Sequence, residues 1–290
     1  MFFSSLIIVE ELYKMADNIT ILMSGLPGKM ATIIAEGIHK DNKYVLWSSA
    51  LTGPNQPNAA YIISRHIDLV PPERHESYLG ELSALKSHMI AIDACKGEGV
   101  ANKNAEGYCK NNTPFVMLST GADYKLIEKM SEETKTPCVA YPNMDPKIVA
   151  WMSAVDYMAQ NYPGAFKGSK VQLSESHQAD KKDTSGTMKN MLKNLSSLVG
   201  EELTAENILS IRDPNVQAKI LGVPDNWLGW HAYHFFKTSN EHGNVEDSEE
   251  LIFKRHGGEC YRRGAISALE FIADKKNKKY FNTMIDVLKD

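Results

Sequence analysis

The stretch Ile19-Thr-Ile-Leu-Met23-Ser24-Gly25-Leu-Pro-Gly28-Lys29-Met30-Ala31 decides the reading of the fold. Its opening run is compact and apolar and ends in a Ser-Gly turn, beyond which Met30, Ile33, Ile34 and Ile38 recur at helical spacing. Strand, glycine turn and helix in that order set a helix N-terminus over the carboxyl end of a buried strand. Dinucleotide folds hold pyrophosphate on backbone N–H groups in this way. Gly25 and Gly28 supply two of the fingerprint's glycines, and Ala31 stands where a third small residue would pack. Taken alone, the motif fits an ordinary strand-to-helix turn equally well.

Working outward, Tyr44–Trp47, Met89–Ile92, Pro114–Met117 and Cys138–Tyr141 read as further strands, with helices near Val100–Lys110 and Tyr124–Glu133 between them. Strands alternating with helices predict a parallel sheet with right-handed crossovers and a ligand at the strands' carboxyl ends, where Gly25, Ser119 and Asn143 fall. The Pro- and Asn-rich region Thr52 to Arg74 reads as a loop or insertion. A helix over Pro146–Gln160, with Ile148, Val149, Met152, Val155 and Ala159 on one face, marks the crossing into a second domain. There, a strand at Val171–Ser174, a helix from Thr187, a polar connection and strand-like runs at Ala232–Phe236 and Leu251–Lys254 predict an open α+β sheet. Helices around Ala265–Ala273 and Lys279–Leu288 follow. The fold class is therefore α/β, a Rossmann-like domain with a parallel sheet plus a second α+β domain with an open mixed sheet.

The 290 residues, 43% hydrophobic and 23% charged, suit a globular protein of two domains or one large one. A net charge of -4 and the lack of a basic block argue against a nucleic-acid or membrane-surface partner, so any anionic ligand must be met by local cations. Cys95, Cys109, Cys138 and Cys260 show no metal-ribbon or disulfide spacing, which fits reduced thiols and a cytoplasmic location. The apolar start Met1–Val9 lacks a basic beginning and meets Glu10 and Glu11 at once, unlike a signal peptide. Residues 1–16 are read as an extension.

Chemistry concentrates in Glu175-Ser-His177-Gln-Ala-Asp-Lys181-Lys-Asp-Thr-Ser185-Gly186-Thr187. His177 and Lys181 can each give a proton or hold an anion. Thr184 to Thr187 opens a helix whose apolar positions are Met188, Met191, Leu192, Leu195, Leu198 and Val199, and a helix start offers unpaired N–H groups to an anion. The pattern suits a carboxylate or phosphate cradle beside a proton donor. From spacing alone, a polar loop capping a helix remains the alternative. His231 and His234 are read as lying on one face of a strand, as structural histidines, since no third metal ligand is evident; no metal is expected.

The string from Glu175 to Thr187 resembles the signature of the dihydrodipicolinate reductase family of lysine biosynthesis, the bacterial form having an Ala-Pro pair where this chain has Thr184. Gly25 to Met30, Pro114 to Gly121 and Ala140-Tyr-Pro-Asn143-Met follow in the family's order. Ile211-Arg-Asp-Pro214, Gly222-Val-Pro224, Gly229-Trp-His-Ala-Tyr-His234 and Met284–Leu288 resemble its plant-type branch.

The resemblance implies hydride transfer from NADPH, or from NADH in its place, to a small cyclic dicarboxylate derived from 4-hydroxy-tetrahydrodipicolinate. It implies His177 and Lys181 as catalytic residues and Ser185, Gly186, Thr187 and Thr120 as substrate-binding residues. Gly25, Gly28, Lys29, Met30, Ser119, Thr120, Gly121 and Asn143 would hold the cofactor. It divides the chain into a dinucleotide-binding domain at 17–143, completed by helices in 264–290, and a substrate-binding and oligomerisation domain at 144–263, with a homotetramer as the assembly. No acid stands in Trp47–Ala50 to meet ribose hydroxyls, and Lys29 could meet a 2′-phosphate, which favours NADPH. Departures are Leu118 in place of a family glycine, and Phe253 and Gly258 in the places of a family His and Arg. A reductase of another cyclic imine and a non-catalytic dinucleotide-binding paralogue stand as alternatives.

Overall fold

The structure, a computed structural model, describes residues 18–84, 89–119, 121–221, 231–239, 248–274 and 279–290. The extension 1–16, Thr120, Gly222–Pro224 and Gly229–Trp230 lie outside the described residues. The chain forms two compact units, one comprising Pro146–Gly258 and the other the residues up to Asp145 together with Glu259–Asp290.

In chain order the first unit contains β1 (Ile19–Ser24), α1 (Lys29–Lys40), β2 (Tyr44–Leu51), β3 (Ala59–Ile62), β4 (Arg65–Val70), α2 (His75–Ala84), β5 (Met89–Asp93), α3 (Glu98–Lys110), β6 (Phe115–Met117), α4 (Tyr124–Thr134) and β7 (Cys138–Ala140). The second unit then supplies α5 (Pro146–Asn161), β8 (Lys170–His177), α6 (Gly186–Val199), β9 (Ile208–Ile211), α7 (Pro214–Leu221), β10 (His231–Ser239) and β11 (Ser248–His256). The chain returns to the first unit with α8 (Glu259–Ala273), β12 (Phe281–Asn282) and α9 (Met284–Lys289).

The first unit's sheet has the order β12-β7-β6-β5-β1-β2-β4-β3. Its pairs are parallel except β3 with β4. β1 and β5 are buried almost throughout, as parallel strands covered on both faces must be. α1 buries Ala31, Ile34, Ala35, Gly37 and Ile38, while Tyr108, Phe115, Met117 and Cys138 sit in the core cluster.

The loop expected over Thr52 to Arg74 is instead a β-hairpin that extends the sheet. Ala60, Ile62, Ile67 and Leu69 are buried while Tyr61, His66 and Asp68 face solvent, a period-two pattern broken up in the sequence by the flanking Pro and Asn. β2 runs on to Leu51, and its carboxyl end is therefore Thr52 and Gly53 rather than Trp47–Ala50. α2 follows, unforeseen, burying His75, Leu79 and Leu82. The helix expected from Lys279 starts only at Met284, because a reciprocal capping box between Thr283 and Asp286 fixes its first turn and frees Phe281 and Asn282 to pair with β7.

In the second unit the sheet order is β11-β10-β8-β9, with β8 and β9 parallel and the other pairs antiparallel. The mixed sheet is thus present, and the connection read as polar contains β9 and α7. α5 packs on α6. Among the described residues no helix is long and apolar enough to cross a membrane.

Candidate active site

β8 extends through Glu175, Ser176 and His177, three residues beyond the expected strand end, so the first part of the signature is strand rather than loop. Alternation then sorts its side chains. Leu173, Glu175 and His177 share one face with His234, which lies opposite Glu175 on β10. Ser174 and Ser176 share the other with Tyr233 and His231, and Ser176 Oγ lies 2.8 Å from His231 Nε2. The one-face reading of His231 and His234 is therefore corrected: three residues apart on a strand, they point to opposite sides.

Glu175 is fully buried and carries four contacts. Its Oε1 accepts from Arg212 Nη2 at 2.6 Å and Ser210 Oγ at 3.0 Å; Oε2 accepts the Ser185 N–H at 2.9 Å and lies 3.7 Å from His177 Nε2. The carboxylate thus ties the strand to the residue that opens α6. Ser185 is the N-cap without a side-chain capping bond, because its Oγ is engaged 3.0 Å from His234 Nε2. Beyond it, a Cβ added at Gly186 would meet nothing within 4 Å, so the backbone there is open to a ligand. Thr187 is half-buried in the first turn of α6.

His177 donates from Nδ1 to the His231 carbonyl at 3.2 Å, which leaves Nε2 as the acceptor, buried and without a hydrogen-bond partner. Burial, then the nearby His234, Lys181 and Arg212 charges, lower its pKa to about 2. Burial, with Arg255 and Lys181, lowers that of His234 to about 3. Both imidazoles are neutral near pH 7. Lys181 follows in a turn, its N–H bonded to the Gln178 carbonyl and its ammonium 2.8 Å from Asp183 Oδ1. Gln217, on α7, donates to the carbonyls of His177 and Ile211 and holds the strand end.

The sequence suggested no third metal ligand, yet Glu175, His177 and His234 each place a ligating atom within 4.8 Å of the others. The cations that depress both imidazoles also oppose a divalent ion, and the same field favours an anion. Arg212, Ser210, Gln217 and His234 were missed as contributors. Arg212 stands thirty-one residues after Lys181, whose carbonyl it binds, and only strand pairing in the fold joins them.

In the first unit, Gly25 follows β1 at φ +102°, its N–H bonded to the Leu51 carbonyl at 2.8 Å. A Cβ there would lie 2.8 Å from the Ala94 backbone, so glycine is required by space as well as by conformation. Gly28 donates to the Gly25 carbonyl and is the N-cap of α1, providing no side-chain cap to the first turn at Lys29 and Met30. These residues fit a pyrophosphate held on backbone amides. Ser119, after β6, is fixed by a bond from its Oγ to Asp93 Oδ1 at 2.8 Å and by the Tyr124 hydroxyl on its carbonyl. Gly121 takes φ +88°. Leu118 is buried, its N–H bonded to the Asp93 carbonyl. Asn143 is buried after β7, and its Oδ1 accepts the Asp145 N–H at 2.9 Å. The candidate cofactor residues therefore lie at the carboxyl ends of β1, β6 and β7. Phe253 and Gly258 occupy the places of the family's His and Arg near the return to the first unit; beside them, Arg255 bonds the Gly257 carbonyl and the ring nitrogens of His256 meet the Tyr233 hydroxyl.

Residues 148–288 match the family model "Dihydrodipicolinate reductase, C-terminus". Over 274 residues, 93% of this chain and 78% of the relative, the sequence is 33% identical to a probable 4-hydroxy-tetrahydrodipicolinate reductase 1, chloroplastic, of Oryza sativa subsp. japonica. The chain belongs to the 4-hydroxy-tetrahydrodipicolinate reductase family. Within the family it is 31% identical to 4-hydroxy-tetrahydrodipicolinate reductase 2, chloroplastic, of Arabidopsis thaliana, over 94% of the chain and 78% of that relative. A solved structure of the family, a dipicolinate-bound dihydrodipicolinate reductase from Paenisporosarcina sp. TG-14, has the same fold with a TM-score of 0.59 at 17% identity, covering 93% of this chain and 98% of that one. The cytoplasmic expectation is corrected by the plant reductases, whose names place them in the chloroplast.

Proposed function

We propose that this chain reduces 4-hydroxy-tetrahydrodipicolinate to tetrahydrodipicolinate with NADPH or NADH, a step of lysine biosynthesis by way of diaminopimelate. The observation that carries the reading is the grouping of His177, Lys181 and the open start of α6 in one buried-edge constellation of the second unit. Reduction adds one hydride and one proton to a ring that has shed its hydroxyl as water. When bound, the nicotinamide supplies the hydride. Lys181 stabilises the electron density that arrives on the ring and gives the proton. His177, neutral beside it, contributes polarity without adding a second positive charge. Ser185, Gly186 and Thr187 hold a substrate carboxylate on amides and hydroxyls at the positive end of α6.

On the cofactor side, Gly25, Gly28 and Met30 hold the pyrophosphate, Lys29 in the same loop meets the 2′-phosphate, and Ser119, Thr120, Gly121 and Asn143 line the nicotinamide end. NADPH is preferred, because no acidic residue stands between Asp41 and Asp68 to take ribose hydroxyls after β2. The first unit is the dinucleotide-binding domain and the second binds substrate. Assembly is as a homotetramer through the second unit's sheet, where Leu209 and Ile252 are exposed.

The test is cofactor oxidation on adding substrate generated in situ from pyruvate and aspartate semialdehyde by the upstream synthase. Turnover is expected, and His177→Ala or Lys181→Ala should each cut kcat by about a hundredfold. Tight NADPH binding without substrate-dependent oxidation would refute the assignment.

A further inference from the structure

The signature segment between β8 and α6 has nothing covalent to stiffen it. No proline occurs from Ser174 to Asp213, and no disulfide is formed by the cysteines of the chain. Its order rests instead on one side chain that arrives from after β9. Arg212 Nε donates to the Lys181 carbonyl at 2.8 Å, Nη2 to the Asp183 carbonyl at 3.1 Å and to Glu175 Oε1 at 2.6 Å, and Nη1 to the Ile211 carbonyl at 3.1 Å. Glu175 in turn takes the Ser185 N–H on its other oxygen. The ion pair therefore bonds the segment on both sides of Thr184, holding the backbone of the proton donor on one side and the start of the anion cradle on the other.

We propose that Arg212, through its ion pair with Glu175, is the positioning residue that sets Lys181 and the Ser185–Thr187 cradle at the spacing a single ligand requires. The proposal rests on the reading of Lys181 and the cradle given above. A planar guanidinium is suited to this task because its donors leave in fixed, divergent directions, whereas an ammonium is a point charge that cannot bond all these acceptors in register. Two further bonds keep the pair in place: Ser210 Oγ donates to the same Glu175 oxygen, and Gln217 holds the His177 carbonyl at the end of β8. Among the described residues Arg212 makes no hydrogen bond to a ring nitrogen of His177 or to the Lys181 ammonium, so its positioning of Lys181 runs through backbone.

The experiment combines hydrogen-exchange mass spectrometry with steady-state kinetics on the full chain, comparing wild type, Arg212→Ala, Arg212→Lys and the double variant Glu175→Gln, Arg212→Met. The double variant removes both charges together, so it leaves no unpaired buried carboxylate and keeps a readout should Arg212→Ala not fold. In each variant, amides of residues 181–187 should exchange at least about tenfold faster while the interiors of β8 and α6 stay protected. The kcat should fall by about a hundredfold, as expected for a proton donor displaced by about 1 Å, with NADPH affinity unchanged. Added guanidinium should restore part of kcat in Arg212→Ala, and Arg212→Lys should not restore it. Wild-type exchange in 181–187, a kcat within about twofold of wild type in the double variant, or loss of protection throughout the second unit would each overturn the proposal. If wild type itself turns over no substrate, the assigned reaction fails, and the exchange of 181–187 still decides the clamp.

Discussion

The imidazoles of His177 and His234 meet edge to face, with ring centroids 5.5 Å apart and planes at 71°. Each occupies a buried position on the same face of the sheet, and each is held neutral by burial and by neighbouring cations. The unfolded chain would titrate the same rings near their ordinary pKa of about 6.5. Between that value and the native values of about 2 and 3, the unfolded state binds more protons, so stability is full above about pH 6.5 and is lost as pH falls through this window. Urea unfolding at pH 7 and pH 5 should show a loss on the order of 2 kcal/mol per imidazole at most. His234→Gln should shrink the difference, and equal losses in the variant would contradict the assignment of the proton uptake.

Gly25 and Gly186 should respond oppositely to alanine. At Gly25 the added Cβ meets the Ala94 backbone at 2.8 Å and the residue sits at φ +102°, so Gly25→Ala should cost roughly 2–4 kcal/mol and weaken NADPH binding. At Gly186 the added Cβ meets nothing, so Gly186→Ala should melt as wild type does; if its amides hold the substrate as proposed, the methyl group should raise the substrate KM. Parallel melting and kinetic measurements on the two variants decide this.

Asp93 gathers four donors in the core: the Cys95 N–H and Ser119 Oγ on one oxygen, Asn104 Nδ2 and the Tyr108 hydroxyl on the other. Asp93→Asn keeps the shape but turns one acceptor into a donor facing donors. A loss of roughly 2–4 kcal/mol is expected in denaturant unfolding, with cofactor affinity reduced because Ser119 is released. An unchanged midpoint would show that the network rearranges at no cost.

Lys29 is expected to discriminate between cofactors. If it meets the 2′-phosphate, Lys29→Ala should raise the KM for NADPH by about tenfold and leave that for NADH nearly unchanged, the loss being that of one charge-assisted contact. Equal effects on both would assign the lysine to the shared pyrophosphate.

The glycine turn at Gly25 and Gly28, the strand-helix alternation and the signature were legible because each is local, fixed by neighbouring residues within one turn or one strand. The β3–β4 hairpin was not, since its alternation is short and set among prolines and asparagines. The length of β8 was hidden by the polarity of Glu175, Ser176 and His177, which read as a loop until burial among Arg212, Ser185 and His231 is known. The faces of His231 and His234 follow from strand parity and were misassigned at that step. Arg212 carried a signal only as part of Ile211-Arg-Asp-Pro214, and its partners lie far off in sequence.

β12 pairs Phe281 and Asn282 with Cys138 and Val139, and the strand that finishes the first sheet is made after the whole second unit. During synthesis, therefore, the second unit can close while the first still waits with the outer edge of β7 unpaired. The nascent chain must keep that edge from other strands until translation has passed Asn282, and a ribosome stalled before this point would present an aggregation-prone edge rather than a shortened but finished domain.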